Sequence, residues 1–440
     1  MKRIRDYSAR ELATVALPVA LIVAAAFWAA FVFVKPAPPR TLAMSTGGEG
    51  GAYHAFAERY QAILARDGIR LELLPSSGAV ENLARLTDPA AGVSVAFVQG
   101  GIAAAQRAPE LVSLGSVYYE PLWVFHRGKQ PLDRLGQLEG RRIAIGSEGS
   151  GARRLALALL AASGMTDQDV QPFDLGGLAA ADALVAGEVD AAFLVAGPEA
   201  ASVRKLARAP GVRLMSIARA DAYTMRLPFL HKLVLPRGAI DIAQDIPADD
   251  IVLLAPTANL VANDSLHPAL AYLLLLAARE VHGGAGPFHR VGAFPSPRDS
   301  DFPLAGEAER FYRSGPPFLQ RYLPFWAATL VDRLIVLLLP LFAVAIPLFR
   351  VLPALYAWRV RRKVYRWYGE LKFIEEGARH RGAEGDASAR LARLAEIETE
   401  VAGINVPLGF AHEVYTLREH IKLVRELLRG VGGSADRAAA

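Results

Sequence analysis

The stretch "STGGEGGAYHAF", residues 45–56, decides how the rest of the chain is interpreted. It places four glycines between a short apolar run, "TLAMS", and a segment whose apolar residues have helical spacing. A strand that enters a helix through glycines exposes main-chain N–H groups at the helix start, where the helix dipole also favours negative charge. The stretch therefore predicts a strand-to-helix corner that can hold a small anion.

Three more corners of this kind follow: "PSSGAVEN" (75–82), "VQGG" (98–101) and "GSEGSG" (146–151). In an open parallel sheet, ligands bind at the carboxyl ends of the strands, which is where such corners lie. Corners from two lobes are expected to face one another across a cleft. The alternative is that the glycines only turn the chain and that the Ser and Thr residues only cap helices.

Short β-rich runs alternate with Ala- and Leu-rich helical stretches in this part of the chain, a pattern typical of a parallel sheet covered by helices. A second series of the same kind follows the first. We therefore predict an α/β fold with lobe 1 at about 41–118 and 232–310, and lobe 2 at about 119–231. Segments near 116–123 and 227–235 are expected to cross between the lobes as a hinge.

Two apolar runs flank the α/β region. The first, 12–34, has no charged residue and is long enough to cross a hydrocarbon core of roughly 30 Å. Its rival interpretation is a cleaved signal peptide, whose apolar region is typically shorter. The second lies within 329–358, where Asp332 and Arg333 favour a span that begins after them, and its rival is a buried core helix. The Pro-rich segment 35–40 is expected to be a stiff linker.

Basic residues set the predicted orientation, because Lys and Arg flanks stay in the cytoplasm. Such residues precede the first run and follow the second. The protein is therefore expected in a bacterial inner membrane, with the lipid bilayer as a partner. The tail 1–11 and the C-terminus are expected in the cytoplasm, and 41–325 in the periplasm. This topology largely explains the formal net charge of +5, and we predict no nucleic-acid partner.

The chain after the second apolar run is predicted to be helical over 359–430. Amphipathic spacing indicates helices at 364–379, 387–401 and 410–429. The stretch "GINVPLG" separates the last two and is typical of a turn, so a cytoplasmic helical hairpin is expected. Residues 431–440 are expected to be a disordered tail.

Enzyme motifs are incomplete or missing in this sequence. The stretch "GSEGSGARR" has the glycine spacing of a P-loop but lacks its Lys and its Ser or Thr. Ser150 does not lie in a G-x-S-x-G elbow. The nine histidines form no ligand-spaced cluster, and there is no cysteine. We predict a protein that is not an enzyme, with no catalytic residue, metal or cofactor.

Aromatic and basic side chains near the corners have a possible binding role and a commoner structural one. Tyr53 and Tyr223 are candidates for lining the pocket, although packing in a core is the commoner fate of a tyrosine. Arg153 is a candidate partner for a carboxylate, although an exposed arginine in a first helical turn often has no such role.

From "STGGEGGAYHAFAERYQAIL" onward, the sequence resembles the TAXI-type solute-binding proteins that serve TRAP transporters. Further matching stretches follow in order: "SSGAVENLARL", "VSVAFVQGG", "LEGRRIAIGSEGSGARRLALALLAASG" and "LVAGEVDAAFLVAG". The resemblance covers roughly 40–285. It implies a two-lobed periplasmic clamshell, of the type II-like class, that closes on a small organic acid, with amino-acid or dicarboxylate-like ligands.

The resemblance also implies a set of ligand contacts at the four corners. Carried over by position, they are Thr46, Gly47, Gly48, Gly51, Tyr53, Ser77, Gly78, Asn82, Gln99, Ser150 and Gly151. One departure concerns the third corner, where the family often has an acidic residue and this chain has Gly100 and Gly101.

Taken together, these patterns predict a membrane-anchored solute-binding protein that captures a small organic acid for membrane permease subunits. The main alternative is a transmembrane sensor that couples the clamshell to the cytoplasmic helices. A degenerate enzyme that uses the same cleft is the third interpretation.

Overall fold

The computed structural model describes residues 17–18, 20–28, 31, 37–103, 108–166, 168–379 and 387–438. The chain divides into two compact units. The first, here called the α/β unit, is Ala37–Thr329, and the second, here called the helical unit, is Met1–Pro36 with Leu330–Ala440.

Lobe 1 of the α/β unit is built on a five-stranded sheet. Its strands are β1 (Thr41–Ser45), β2 (Arg70–Leu74), β3 (Val95–Gln99), β4 (Leu111–Tyr119) and β12 (Thr257–Asn263). Their order is β2-β1-β3-β12-β4, in which β1 is parallel to β2 and β3, and β12 is antiparallel to β3 and β4. Every residue of the central β3 is buried, as expected for a strand covered on both faces.

Helices cover this first sheet. They are α1 (Ala52–Arg66), α2 (Ala79–Thr87), α7 (Pro268–His282), α8 (Gly306–Ser314) and the short α9 (Phe318–Tyr322). The apolar faces of α1 and α7 pack on the sheet, with Tyr60, Leu64 and Leu274 fully buried in one core. This packing fixes the positions at which α1 and α2 begin.

Lobe 2 is built on a second, seven-stranded sheet. Its strands are β5 (Leu122–Arg127), β6 (Arg142–Ala144), β7 (Gln171–Phe173), β8 (Ala191–Val195), β9 (Val212–Leu214), β10 (His231–Leu235) and β11 (Ile251–Ala255). The order is β10-β11-β5-β8-β6-β7, and β9 pairs with β5. Its helices are α3 (Gly151–Ala162), α4 (Gly177–Ala186), α5 (Ala201–Ala207) and α6 (Ala220–Arg226). One apolar core lies beneath α3 and α6 and another beneath α4 and α5.

The chain crosses between the lobes at Glu120–Pro121, after β4, and at Pro256, between β11 and β12. The two crossings are bonded to each other, since the Glu120 N–H donates to the Pro256 carbonyl at 2.9 Å. The first matches the expected hinge near 116–123. The second was expected near 227–235 and is wrong, because β10 pairs antiparallel with β11 along its whole length and both stay in the second sheet.

Residues 283–305 add a third connection between the lobes. Phe288 packs into the core beneath α4 and α5, whereas Ser296 exchanges main-chain hydrogen bonds with Ser116 of β4 at 2.9 Å in each direction. Further along, the Ala305 N–H donates to the Ser113 carbonyl, also in β4. This segment therefore runs along the outer edge of the first sheet and connects it to the second lobe.

The helical unit contains three helices among its described residues beyond 329. They are the main part of α10 (Phe325–Arg379), α11 (Ala387–Ala402) and α12 (Ala411–Ala438). Their apolar seams share one core, in which Leu394, Leu417 and Ile421 are fully buried. The three expected helices are therefore present. The expected disordered tail is helical as far as Ala438, because extending a formed helix costs little per residue.

Within the described residues, α10 is the one helix long and apolar enough to cross a membrane, judged by length and composition. Its most apolar window has a mean hydropathy of 2.5, and none of that window is buried, so the buried-core interpretation of this run is wrong. About half of the first apolar run lies outside the described residues, and 17–18, 20–28 and 31 are helical.

Gly115 gives a test of the β4 edge. Its φ is +122°, and a Cβ there would overlap Tyr312 Oη and lie 2.7 Å from the Ser296 carbonyl oxygen. We expect Gly115→Ala to lower the free energy of unfolding of residues 37–329 by about 1–3 kcal/mol from backbone strain, with overlap adding to this. Urea denaturation would measure the loss. Gly136→Ala, with open space around its Cβ, is the control, and equal stability of the two variants would contradict this packing.

Candidate functional site

Three of the four glycine corners meet where the two lobes face each other. A Cβ on Gly78, before α2, would lie 3.2 Å from Ser150 Cα, before α3. A Cβ on Gly151, the first residue of α3, would overlap Oε1 of Gln99, the last residue of β3. The corners of lobe 1 and lobe 2 therefore converge, as the sequence predicted.

The start of α2 is already occupied by the chain itself. The N–H groups of Val80 and Glu81 donate to the carbonyl of Gly149, in lobe 2, at 3.2 and 3.4 Å. Ser77 donates to the Glu81 carboxylate from its N–H at 2.8 Å and its hydroxyl at 2.6 Å, and these bonds lower the pKa of Glu81. The predicted contacts Ser77 and Gly78 therefore bring the lobes together at this corner.

Asn82 and Thr46 are buried and hold main-chain segments of lobe 1 in place. The Asn82 side chain accepts from Ser45 and Ser76 hydroxyls at 2.7 Å each and donates to the Phe97 carbonyl at 2.9 Å. Thr46 Oγ1 donates to the Gly47 carbonyl and lies 3.1 Å from His54 Nδ1. The structure places these two predicted residues beneath the corners, where they support the main chain.

The start of α1, in contrast, is open. Its N-cap, Gly51, provides no capping side chain, and the Gly51 N–H turns back to the Gly48 carbonyl at 2.8 Å. The first-turn N–H groups of residues 52–54 have no acceptor among the described residues, and Cβ atoms on Gly48 and Gly50 would meet nothing within 4 Å. Three main-chain donors at the positive end of a 15-residue helix therefore lack an acceptor within the described part of the chain.

Gln99 adds a buried donor beside these corners. Its side chain is 2% exposed, and its Nε2 has no hydrogen-bond acceptor among the described residues. A buried N–H group without an acceptor costs free energy, so this position favours a ligand atom that accepts a hydrogen bond. The position of Oε1 against Gly151 places the amide at the contact between the lobes.

Glu120 is a site residue that the sequence analysis missed. It lies in the first crossing segment, is 8% exposed, and accepts a hydrogen bond from the Tyr53 hydroxyl at 3.2 Å. Burial raises the pKa of Glu120 to about 8 and also raises that of Tyr53. The sequence does contain a sign of this role, because Glu120 is the one charged residue in the apolar crossing stretch "SVYYEPLWVF".

Tyr53 is therefore buried but connects two parts of the site. Its ring packs against Phe97 at 5.3 Å between centroids, and its hydroxyl reaches the hinge. Its main-chain N–H belongs to the open first turn of α1.

In lobe 2, Ser150 caps α3. Its hydroxyl accepts from the Arg153 N–H at 3.2 Å and donates to the Ser147 carbonyl at 2.6 Å. The Arg153 guanidinium forms an ion pair with Asp174 of its own lobe. At this corner, the capping interpretation of the serine describes the observed contacts.

Tyr223, predicted to line the pocket, lies at the far end of α3 from the corner at Gly151. Its hydroxyl lies 2.5 Å from Oγ of Ser163, the residue after the last turn of α3, and its ring packs in the core beneath α3. The 12 residues of α3 separate it from Gly151 by roughly 18 Å at about 1.5 Å per residue. The apolar core of lobe 2 takes up this ring.

The third corner receives a carboxylate from a distant part of the chain. The Gly101 N–H donates to Asp301 at 2.6 Å, and burial raises the pKa of Asp301. An acidic group thus reaches the corner at which the sequence has Gly100 and Gly101. The Phe229 ring of lobe 2 covers Gly101, and a Cβ there would lie 2.5 Å from the ring.

Metal binding is not indicated by the arrangement of side chains. In the part of the chain that the structure describes, no group of three or more His, Cys, Asp or Glu residues could hold an ion.

Comparison with known families assigns the region that carries all four corners. The NMT1-like family matches residues 44–282, from β1 to the end of α7. The chain belongs to the NMT1-like family. The matched range is more than half of the chain and contains both sheets of the α/β unit. The finer assignment to TAXI-type proteins is not decided by this match.

Among solved structures, the NMT1-like chain is similar to the periplasmic aliphatic sulphonate binding protein SsuA from Escherichia coli, with 15% identity over 73% of this chain and 93% of that one, and a TM-score of 0.36. It is also similar to the alkanesulfonate-binding protein SsuA from Xanthomonas axonopodis pv. citri bound to MOPS, with 18% identity over 67% and 99% and a TM-score of 0.37. At these TM-scores, neither similarity indicates a ligand for the NMT1-like chain.

Gly151 provides a test of the contact between the lobes in this NMT1-like protein. In Gly151→Val, Cβ would overlap Gln99 Oε1 and lie 2.9 Å from its Cδ, so the amide must move and the lobes cannot close as observed. We expect roughly tenfold weaker capture of the ligand, about 1.4 kcal/mol, with a nearly unchanged melting temperature without ligand. Calorimetric titration measures the affinity. Gly136→Val, at a glycine of lobe 2 with open space around its Cβ, is the matched control, and equal weakening by both substitutions would show that this contact is unimportant.

Glu120 gives a prediction for pH. Its folded pKa of about 8 lies above its ordinary value, so the folded state holds the proton more tightly, and stability falls as pH rises from about 4.5 to about 8. Glu120→Gln keeps an acceptor for Tyr53 and removes the cost of ionisation. At about pH 9 we expect the variant to be more stable than wild type by roughly 5 kcal/mol, and similar to it near pH 4.5.

Denaturation of residues 37–329 across this pH range would measure the difference. The exposed Glu188→Gln is the control, for which no such pH-dependent gain is expected. A Glu120→Gln profile parallel to wild type would show that the carboxyl is not buried without compensation.

Proposed function

We propose that this protein is a membrane-anchored periplasmic solute-binding protein that captures a small organic acid between its two lobes. The main support is that the first turn of α1 has main-chain N–H groups without an acceptor among the described residues. In the same unit the two lobes meet at Gln99, whose buried Nε2 also lacks an acceptor there. No step of covalent chemistry is needed for capture.

The chemistry of the open corner favours a carboxylate. Main-chain N–H groups at a helix start, together with the helix dipole, stabilise negative charge. At the other corners, by contrast, the N–H groups at the start of α2 donate to Gly149 and that of Gly101 donates to Asp301. A ligand carboxylate on α1 would complete the remaining corner. The narrower expectation of an amino acid or dicarboxylate rests on the TAXI resemblance.

Capture in this account is a change of population. A ligand favours the closed arrangement only if it makes contacts there that it does not make when the lobes separate. The Gln99 amide links the ligand to closure, because its Oε1 lies against the first residue of α3 in lobe 2, and a ligand that fixes the orientation of this amide would favour that contact. The crossings at Glu120 and Pro256 are the segments about which the lobes would move.

Membrane anchoring and delivery to permease subunits of a TRAP-type transporter complete the proposal. The anchors are the apolar part of α10 and the first apolar run, with both termini in the cytoplasm of a bacterium. The length and hydropathy of α10 support its role as an anchor. A tethered receptor cannot diffuse between transporters, so it would serve a local partner.

A second candidate function is a transmembrane sensor. Two features favour it: α10 is one helix from Phe325 to Arg379, and its last turns share a core with α11 and α12. Capture of membrane partners and of cytoplasmic partners by the full chain would separate the two candidates, since transport needs a permease and sensing needs an inner partner.

Ligand binding by residues 37–329 tests the proposal. We expect a small carboxylate, from a panel of mono- and dicarboxylates, amino acids, amines and sugars, to raise the melting temperature, because a ligand that binds only the folded state stabilises it. Gln99→Met should weaken binding roughly tenfold to a hundredfold, since a hydrogen bond to a charged group contributes about 1.5–3 kcal/mol.

Gln168→Met is the matched control, because this exposed glutamine lies on lobe 2 after the end of α3. Stabilisation by an amine or a sugar, with no effect of any carboxylate, would contradict the proposed ligand class. A carboxylate whose affinity is unchanged in Gln99→Met would place the ligand elsewhere.

A further inference from the structure

An exposed aromatic pair precedes the apolar helix. Phe318 and Tyr322, on α9, are 71% and 73% exposed, and their ring centroids lie 5.1 Å apart. Leu323, the next residue, is 37% exposed. We call these three residues the juxtamembrane patch. Exposed apolar side chains that cluster, unlike single ones, mark surfaces that contact another molecule or a membrane.

The chain directly after the patch is fixed to lobe 1. Phe325 and Ala328, at the start of α10, are buried, and Phe325 belongs to the core of lobe 1. The Trp326 indole N–H donates to the Asp67 carbonyl, after α1, at 2.6 Å. The first turn of α10 is therefore part of the packed lobe.

The other connecting segment arrives at the same place. The guanidinium of Arg40, the last residue of the predicted linker, lies 5.4 Å from the centroid of the Trp326 ring. Arg40 immediately precedes β1. The two segments that join the lobe to the apolar runs therefore meet at Trp326.

Distance along the chain places the patch close to the proposed span. The uninterrupted apolar run begins at Leu334, 12 residues after Tyr322. Exposed apolar side chains begin earlier, at Leu330. Aromatic side chains with one apolar and one polar end are favoured at the boundary between lipid and water. This continuity selects lipid as the occupant of the patch.

We infer that lobe 1 rests against the bilayer surface through the juxtamembrane patch, with Phe318 and Tyr322 at the boundary between headgroups and acyl chains. This inference rests on the proposed membrane anchoring by α10. Lobe 2 is inserted between the two crossings at Glu120 and Pro256, so with lobe 1 held at the bilayer it would be lobe 2 that moves in the proposed opening.

The absence of cysteine from the sequence makes a direct test simple, because each introduced cysteine is unique. The full chain carrying Phe318→Cys or Tyr322→Cys is labelled with bimane and placed in nanodiscs of three parts phosphatidylcholine to one part phosphatidylglycerol, with a nitroxide on some headgroups. We expect at least twofold stronger quenching at these two positions than at Met225→Cys and Ile242→Cys. Both controls are exposed positions of lobe 2, at 84% and 91%.

Phe342→Cys, in the apolar part of α10, reports on the anchoring itself through a nitroxide placed on the acyl chain. Quenching at 342 supports the anchoring. If headgroup quenching at 318 and 322 then equals that at 225 and 242, the inference is overturned and the anchoring is left intact. No quenching at 342 would overturn both. The bimane label at 318 or 322 could instead become shielded from water without nitroxide lipid, and only at high protein concentration. That result would show that a second copy of the protein covers the patch, and it would overturn the inference.

Discussion

The contact between Gly149 of lobe 2 and the start of α2 in lobe 1 is the interaction that joins the two lobes in the observed arrangement. Main-chain N–H groups at a helix start need acceptors, and here one lobe supplies them to the other. Gly101 is satisfied in the same way by Asp301, and α3 by Ser150. The start of α1 is left open, and the proposed ligand site follows from this difference between otherwise similar corners.

Local sequence was enough to predict the corners, the alternation of strands and helices, and the three C-terminal helices, because glycine placement and apolar spacing are local properties. Long-range pairing was not. Nothing in "HKLVL" shows that β10 will pair with β11 and remain in lobe 2. The sequence does not show how far Tyr223 lies from the corner at Gly151, because that distance depends on the packing of α6 on α3. Asn82, predicted as a ligand contact, bonds to three residues of lobe 1, and these long-range bonds were not predicted.

Glu120 shows how the site and the hinge are joined. Its side chain accepts from Tyr53, whose main chain starts α1, and its N–H donates to the second crossing at Pro256. In the proposed closure, the lobes move about segments that hold a buried acid, and the raised pKa of Glu120 makes the stability of that region sensitive to pH. In the proposed membrane-anchored arrangement, the same segments would carry the movement of lobe 2.

A crystal structure of residues 37–329 with a tightly binding carboxylate would test the central claim most directly. The account predicts the carboxylate oxygens within hydrogen-bond distance of the main-chain N–H groups of residues 52–54, with Gln99 Nε2 donating to the same ligand and Gly149 still bonded to the start of α2. A carboxylate that instead displaces Gly149 from α2, or that binds outside the contact between the lobes while the start of α1 stays empty, would contradict it.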